Sequence, residues 1–148
     1  MRLDKLKAAF TVVEIIVVVL IVSILVAYIG ISFSSISSRR VNTQTRLLVN
    51  DLAWMRQSAV AQHQTFRVSF DTLNKRYQID RFPSGGGAPQ LVAVKSLQVD
   101  SLSILPLPAS ISFDPPQGKA ESKQIDLTAQ GNSKQITIFA DTGYIQWQ

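Results

Sequence analysis

Residues 10–33 form a run of 24 residues with a single charge, Glu14, and within it Ile15 to Leu20 are wholly Ile, Val and Leu. An α-helix rises 1.5 Å per residue, so the run extends about 36 Å, enough to cross a hydrocarbon core of about 30 Å with some tilt. A buried helix of a soluble domain would carry polar positions at helical spacing, and this run has no such stripe. Arg2, Lys5 and Lys7 precede it against one acid, Asp4. The positive-inside rule therefore puts the N-terminus in the cytoplasm and the residues after the run on the other side. A removable secretory signal shares the charged start, but its apolar part spans about 7–15 residues and ends in an Ala-x-Ala site. Here the run is longer, and Ser32-Phe33-Ser34 stands where such a site would be.

The rest of the chain has the composition of an ordinary soluble domain, and it is poor in catalytic groups. The absence of cysteine excludes a disulfide scaffold, a thiol nucleophile and any thiolate metal site. A single histidine, His63, argues against a histidine metal cluster or a Ser-His-Asp triad; near a helix end it reads as a cap or a surface residue. Asp114, Asp126 and Asp141 lack calcium-loop spacing and read as turn or cap residues. Pro83-Ser84-Gly85-Gly86-Gly87-Ala88-Pro89 is rich in glycine, but a strand rather than a helix follows it, so it is a surface loop and not a phosphate cradle. No metal, cofactor or enzymatic activity is expected, and composition points to a membrane-tethered interaction protein.

Glu14 is the informative residue of the apolar run. An acid deep in hydrocarbon costs about 2.5–3.5 kcal/mol, less near the interface. Its role as more than an interfacial carboxylate requires a cation, and the run contains none. The cation must come from another subunit or from an amine made by cutting the chain. Lys7-Ala8-Ala9-Phe10-Thr11-Val12-Val13-Glu14, followed by Ile15-Ile16-Val17-Val18-Val19-Leu20, resembles the class III signal of type IV pilins and type II secretion pseudopilins. The resemblance implies that prepilin peptidase cuts between Ala9 and Phe10 on the cytoplasmic side. It also implies that Phe10 becomes the N-methylated first residue and that Glu14, then fifth, serves subunit assembly. The new amine at Phe10 and Glu14 of a neighbouring subunit would neutralise each other within the bilayer. The family prefers Gly immediately before the cut, where this chain has Ala9.

Beyond Ser34-Ser35-Ile36-Ser37-Ser38, Val41, Leu48, Leu52, Met55 and Ala59 recur at spacings that fall on one helix face. One long helix is expected from Phe10 to about Gln62, with Gly30 and the serines able to soften it. After His63 the period becomes two: Phe66, Val68 and Phe70, then Tyr77 and Ile79, read as a hairpin turning at residues 71–75. Further strands are expected at residues 91–94, 97–105, 111–113, 124–129, 135–140 and 144–147, the last hairpin turning at Asp141-Thr142-Gly143. Trp54 and Trp147 are expected as core or helix-to-sheet contacts.

The resulting α+β organisation has a leader at residues 1–9, a membrane and filament-core helix at 10–33, its amphipathic continuation at 34–64 and a periplasmic β-rich head at 65–148. Residues 48–60, Leu-Val-Asn-Asp-Leu-Ala-Trp-Met-Arg-Gln-Ser-Ala-Val, and the strand at 65–71 resemble the minor pseudopilin H and fimbrial T (GspH/FimT) group. So do the turn Phe113-Asp114-Pro115-Pro116-Gln117-Gly118 and the closing hairpin at 136–145. The resemblance implies a pilin-like fold, a long N-terminal helix packed on an antiparallel β-sheet or sandwich head. It further implies a minor pseudopilin or minor pilin at the tip, or between tip and shaft, of a pseudopilus or type IV pilus. The implied partners are prepilin peptidase, sibling pilins and an inner-membrane assembly platform, with the chain first a single-pass inner-membrane protein and then part of the filament.

Net charge supplies the alternative, a DNA-binding minor pilin. Residues 39–81 hold eight basic residues against three acids, and Arg67, Lys75, Arg76 and Arg81 could contact phosphates from one hairpin. Spaced charges on a helix and hairpin are more often a solvated face. DNA-binding members of the group place two arginines after the last hairpin glycine, where Tyr144 and Gln146 stand here, so nucleic acid is not the expected partner.

Overall fold

The computed structural model describes residues 11–148, apart from the side chains of residues 28–38. The leader, Ala9 and Phe10 lie outside the described residues. The chain divides into two compact units, Met1–Ile36 and Ser37–Gln148, and helix α1, Val12–Gln62, contributes to both.

In the first unit Thr11 caps the helix. Its carbonyl accepts from the amides of Glu14 and Ile15 at 3.0 and 3.2 Å, and its Oγ1 accepts from the Glu14 amide at 3.3 Å. This satisfies donors that a helix start leaves open. The large apolar side chains from Val12 to Val26 are all exposed, at 47–74%. Residues 30–38, where glycine and serines weaken helix propensity, are helical in the backbone.

In the second unit the same helix is one-sided. Val41, Leu48, Leu52, Met55 and Ala59 are at most 1% exposed and join the core. Thr45 lies on that buried face as well, its hydroxyl satisfied by the Val41 carbonyl at 2.8 Å. α1 gives way at His63, an exposed residue at φ 50°, the left-handed conformation that ends many helices.

Eight strands follow, arranged as two antiparallel four-stranded sheets. The first contains β1 (Thr65–Asp71), β2 (Arg76–Phe82), β3 (Gln90–Ser96) and β5 (Ser110–Phe113) in the order β3-β2-β1-β5. The second contains β4 (Ser101–Leu105), β6 (Lys123–Ala129), β7 (Asn132–Ile138) and β8 (Ile145–Trp147) in the order β4-β6-β7-β8. Alternation along β1 and β6 buries Phe66, Val68 and Phe70, and Ile125 and Leu127, against the helix face. The whole is α+β, a helix packed on antiparallel sheets.

Two strand expectations shift. Residues 97–105 are not one strand: Leu97 and Val99 are buried in a connector whose amides at Leu97 and Asp100 bond to the carbonyls of Lys75 and Thr128, the latter in the second sheet, before β4 begins. The strand expected at 135–140 starts earlier, because a tight turn at Gln130 and Gly131, both at positive φ, pairs Asn132 with Ala129.

Lys123 is the one fully buried charge among the described residues. Its ammonium donates to the carbonyls of Pro106 and Pro108 at 2.8 and 3.1 Å and lies 3.3 Å from Glu121. Those partners offset the cost of removing a cation from water, and they tie the 106–108 loop to β6.

Candidate functional site

Two places on the molecule gather the residues singled out by the sequence. The first is the start of α1. Glu14 is exposed in the first helical turn, three residues after its cap, where the positive end of the helix dipole favours a carboxylate. The spacing Thr11-x-x-Glu14 is that of a capping box, a helix-start signal that the resemblance to a cleavage motif obscures. Glu14 is the sole ionisable side chain among the exposed apolar residues from Val12 to Ala27.

The second lies in the Ser37–Gln148 unit, where α1, the turn at 114–119 and the last hairpin turn converge on Arg56. Its Nε donates to the carbonyl of Thr142 at 2.9 Å, across 86 residues of sequence. Beneath the side chain, Gly118 (φ 67°) and Gly143 (φ 59°) are both buried. A Cβ on Gly118 would meet Arg56 Cγ at 2.8 Å, and one on Gly143 would collide with the Gly118 carbonyl. Only glycine allows this approach in this backbone conformation. Neighbouring bonds hold both turns: Asp114 and Lys119 exchange backbone hydrogen bonds at 2.9 and 3.1 Å, Thr65 donates to Asp114 at 2.7 Å, and the Gly143 amide donates to the Phe139 carbonyl at 3.1 Å. A groove of about 590 Å³ runs beside Arg56, lined by Phe139, Ala140, Thr142, Tyr144 and Gln146. The rings of Phe139 and Tyr144 lie 6.0 Å apart and are 42% and 58% exposed.

A model of the family described as type II transport protein GspH matches residues 44–142, more than half of the chain. The chain belongs to the GspH family. The match takes in Leu48, Leu52, Met55 and Ala59 of the buried face of α1, with Arg56, Gly118 and Thr142, and does not extend to the apolar run. Solved structures with a similar fold include the minor pseudopilin EpsH of the Vibrio cholerae type 2 secretion system, at 14% identity and TM-score 0.61 over 74% of this chain and 96% of that one. The type IV minor pilin FimU of Pseudomonas aeruginosa aligns at 13% identity and TM-score 0.60, over 74% and 89%. At these identities the likeness is one of fold. A search of curated protein sequences finds no match.

The head is locked to its helix at a second point, which sequence spacing does not bring together. Tyr77 on β2 donates to Asp51 on α1 at 2.5 Å, and Lys95 on β3 donates to both Asp51 oxygens at 2.8 and 2.7 Å. Burial, and then the Asp51 carboxylate, push ionisation of the Tyr77 hydroxyl far above its ordinary range. Trp54 meets Phe66 edge to face at 5.6 Å, a helix-to-sheet contact. Trp147 packs against the core with Arg46 and Lys134 each 5.7 Å from its ring.

The four hairpin cations do not form one surface. Arg67 donates to Ser112 at 3.0 Å and lies over the Phe82 ring at 4.6 Å. Arg76 pairs with Asp71 at 3.0 Å; hydrogen bonds from Asn74, then Arg76, hold that carboxyl below its ordinary range. Arg81 pairs with Gln90 and sits opposite Phe66, on the other face of the sheet from Arg67 and Arg76. Lys75, half-buried at φ 51°, ends the turn. Among the described residues, no group of three or more His, Cys, Asp or Glu is placed to hold a metal ion, nor is any helix long and apolar enough to cross a membrane.

Proposed function

We propose that this chain is a minor pseudopilin or minor pilin, made as a precursor, cut between Ala9 and Phe10 by prepilin peptidase and N-methylated at Phe10. It inserts residues 10–33 in the inner membrane, with the head in the periplasm. From there it joins sibling subunits, through the assembly platform, at the tip or tip-to-shaft region of a secretion pseudopilus or type IV pilus. The observation that carries the proposal is the exposed helical surface from Val12 to Val26, with Glu14 at its capped start, in a chain whose other unit belongs to the GspH family. Such a surface needs partners outside the chain, lipid before assembly and neighbouring stems after it. A carboxylate at its start needs the cation that leader removal would create. The role is structural, with no catalytic step.

Intact-mass measurement of the protein recovered from membranes tests the processing. The expected product starts at a methylated Phe10, and Ala9→Arg leaves the full-length mass. Recovery of the unprocessed chain from cells with active prepilin peptidase would reject this route.

A further inference from the structure

The lock at Arg56 uses only part of that side chain's bonding capacity. A guanidinium carries N–H donors on all three nitrogens in one rigid plane, and here Nε alone is bonded, to the Thr142 carbonyl. The two Nη atoms have no hydrogen-bond partner among the described residues, and none of the ion pairs among those residues includes Arg56. The unpaired side-chain atoms sealed from solvent are Gln64 Oε1 and Arg81 Nε, so the Nη pair of the half-buried Arg56 opens on the surface. Its direction is set from behind by the Nε bond and by the close approach of Gly118 and Gly143, which leaves little side-chain freedom to be lost on binding. Arg76 and Lys95, by contrast, already hold the carboxylates of Asp71 and Asp51.

Two hollows meet at this fork. One is the groove of about 590 Å³ beside the exposed rings of Phe139 and Tyr144. The other, of about 450 Å³, lies on the opposite flank along Val60, Ala61 and Pro116. Arg56 is the only charged residue lining either hollow. A pair of coplanar N–H donors matches the two oxygens of a carboxylate. Nucleic acid and anionic lipid present rows of phosphates, which proteins meet with several cations; here a single cation stands between apolar walls. That combination fits one carboxylate on an otherwise apolar segment, with the acid on the fork and its neighbours in the hollows.

We propose that Arg56 and the hollows beside it bind an Asp or Glu side chain, with apolar neighbours on the same face of an extended segment, from a second protein. The site lies wholly within the Ser37–Gln148 unit and is independent of leader processing and of Glu14.

The probe is the capped peptide N-acetyl-Leu-Ala-Glu-Ala-Leu-amide, in which alternation puts Leu, Glu and Leu on one face, titrated into the full chain in detergent micelles by calorimetry. Its counterpart with Gln in place of Glu is expected to bind about tenfold more weakly, the worth of one charge-assisted contact. Arg56→Lys keeps the charge but loses the fork, and is expected to cut that preference to about threefold or less. Tyr144→Ala, at an exposed position, leaves the Arg56 bond in place; it is expected to weaken both peptides about fivefold, with their ratio and the circular dichroism spectrum unchanged. Equal binding of the Glu and Gln peptides by the unsubstituted chain, or indifference of the Glu peptide to Tyr144→Ala, would overturn the proposal. So would tighter binding of N-acetyl-Leu-Leu through its free terminal carboxylate, which would assign the site to chain ends, or Arg56-dependent displacement of the peptide by short single-stranded DNA, which would assign it to phosphate.

Discussion

Two stretches of one helix treat their apolar residues in opposite ways. From Val12 to Val26 apolar side chains surround the helix and all are exposed; from Val41 to Ala59 one stripe, Val41, Leu48, Leu52, Met55 and Ala59, is almost wholly buried, while Leu47 and Trp54 outside it stay exposed. A stripe can be covered by the chain's own sheets, because a helix offers them only one face. A helix apolar on every side cannot be covered that way and requires surroundings that close over it from all directions. The head is therefore a self-sufficient core, whereas the stem is unfinished until something else packs around it.

The first way to break this contrast is to truncate one leucine in each region. Leu52→Ala, at a fully buried position in the stripe, should cost the head about 2–5 kcal/mol through lost burial and an unfilled cavity. Denaturant unfolding of the full chain in detergent, followed by near-ultraviolet circular dichroism, measures this. Gly143→Ala is next. It forces a side chain into a left-handed position and against the Gly118 carbonyl, at a cost of about 1–3 kcal/mol, and the same unfolding curves report it.

Tyr77→Phe should cost about 1 kcal/mol by removing the hydrogen bond to Asp51, and it should also change the response to alkali. The folded state raises the ionisation of Tyr77 above its ordinary 10.0. The neutral hydroxyl thus contributes stability that is complete below about pH 10 and lost as pH rises beyond it. In Tyr77→Phe that alkaline limb should flatten, as a stability-against-pH series would show. Smallest is the stem: Leu20→Ala should leave head stability unchanged within about 0.5 kcal/mol, and a loss like that of Leu52→Ala would erase the distinction between the two regions.

Sequence pattern exposed the regular parts of this division. The buried face of α1 follows from five apolar residues at helical spacing, and β1 with β2 from alternation around a polar turn. Thr45 was invisible as core because a hydroxyl reads as surface until its i−4 carbonyl partner is known. The connector at 97–100 passed for strand because Leu97 and Val99 alternate; the shift of phase to Leu102 and Ile104 marks the change of sheet. Arg56, Gly118 and Gly143 each lie within segments that resemble the family, but their meeting depends on long-range packing that no local spacing encodes. The same holds for Arg67, Arg76 and Arg81, whose separation over two faces and separate partners appears only with strand register.

The central claim is that the stem is completed by other subunits, with Glu14 meeting a neighbour's new amine. Its most direct measurement is the amount of Glu14→Leu chain in sheared pili or pseudopili, relative to the amount in the membrane of the same cells. Normal membrane levels with loss from the filament fraction are predicted, and recovery of the variant in filaments at the unsubstituted level would contradict the account.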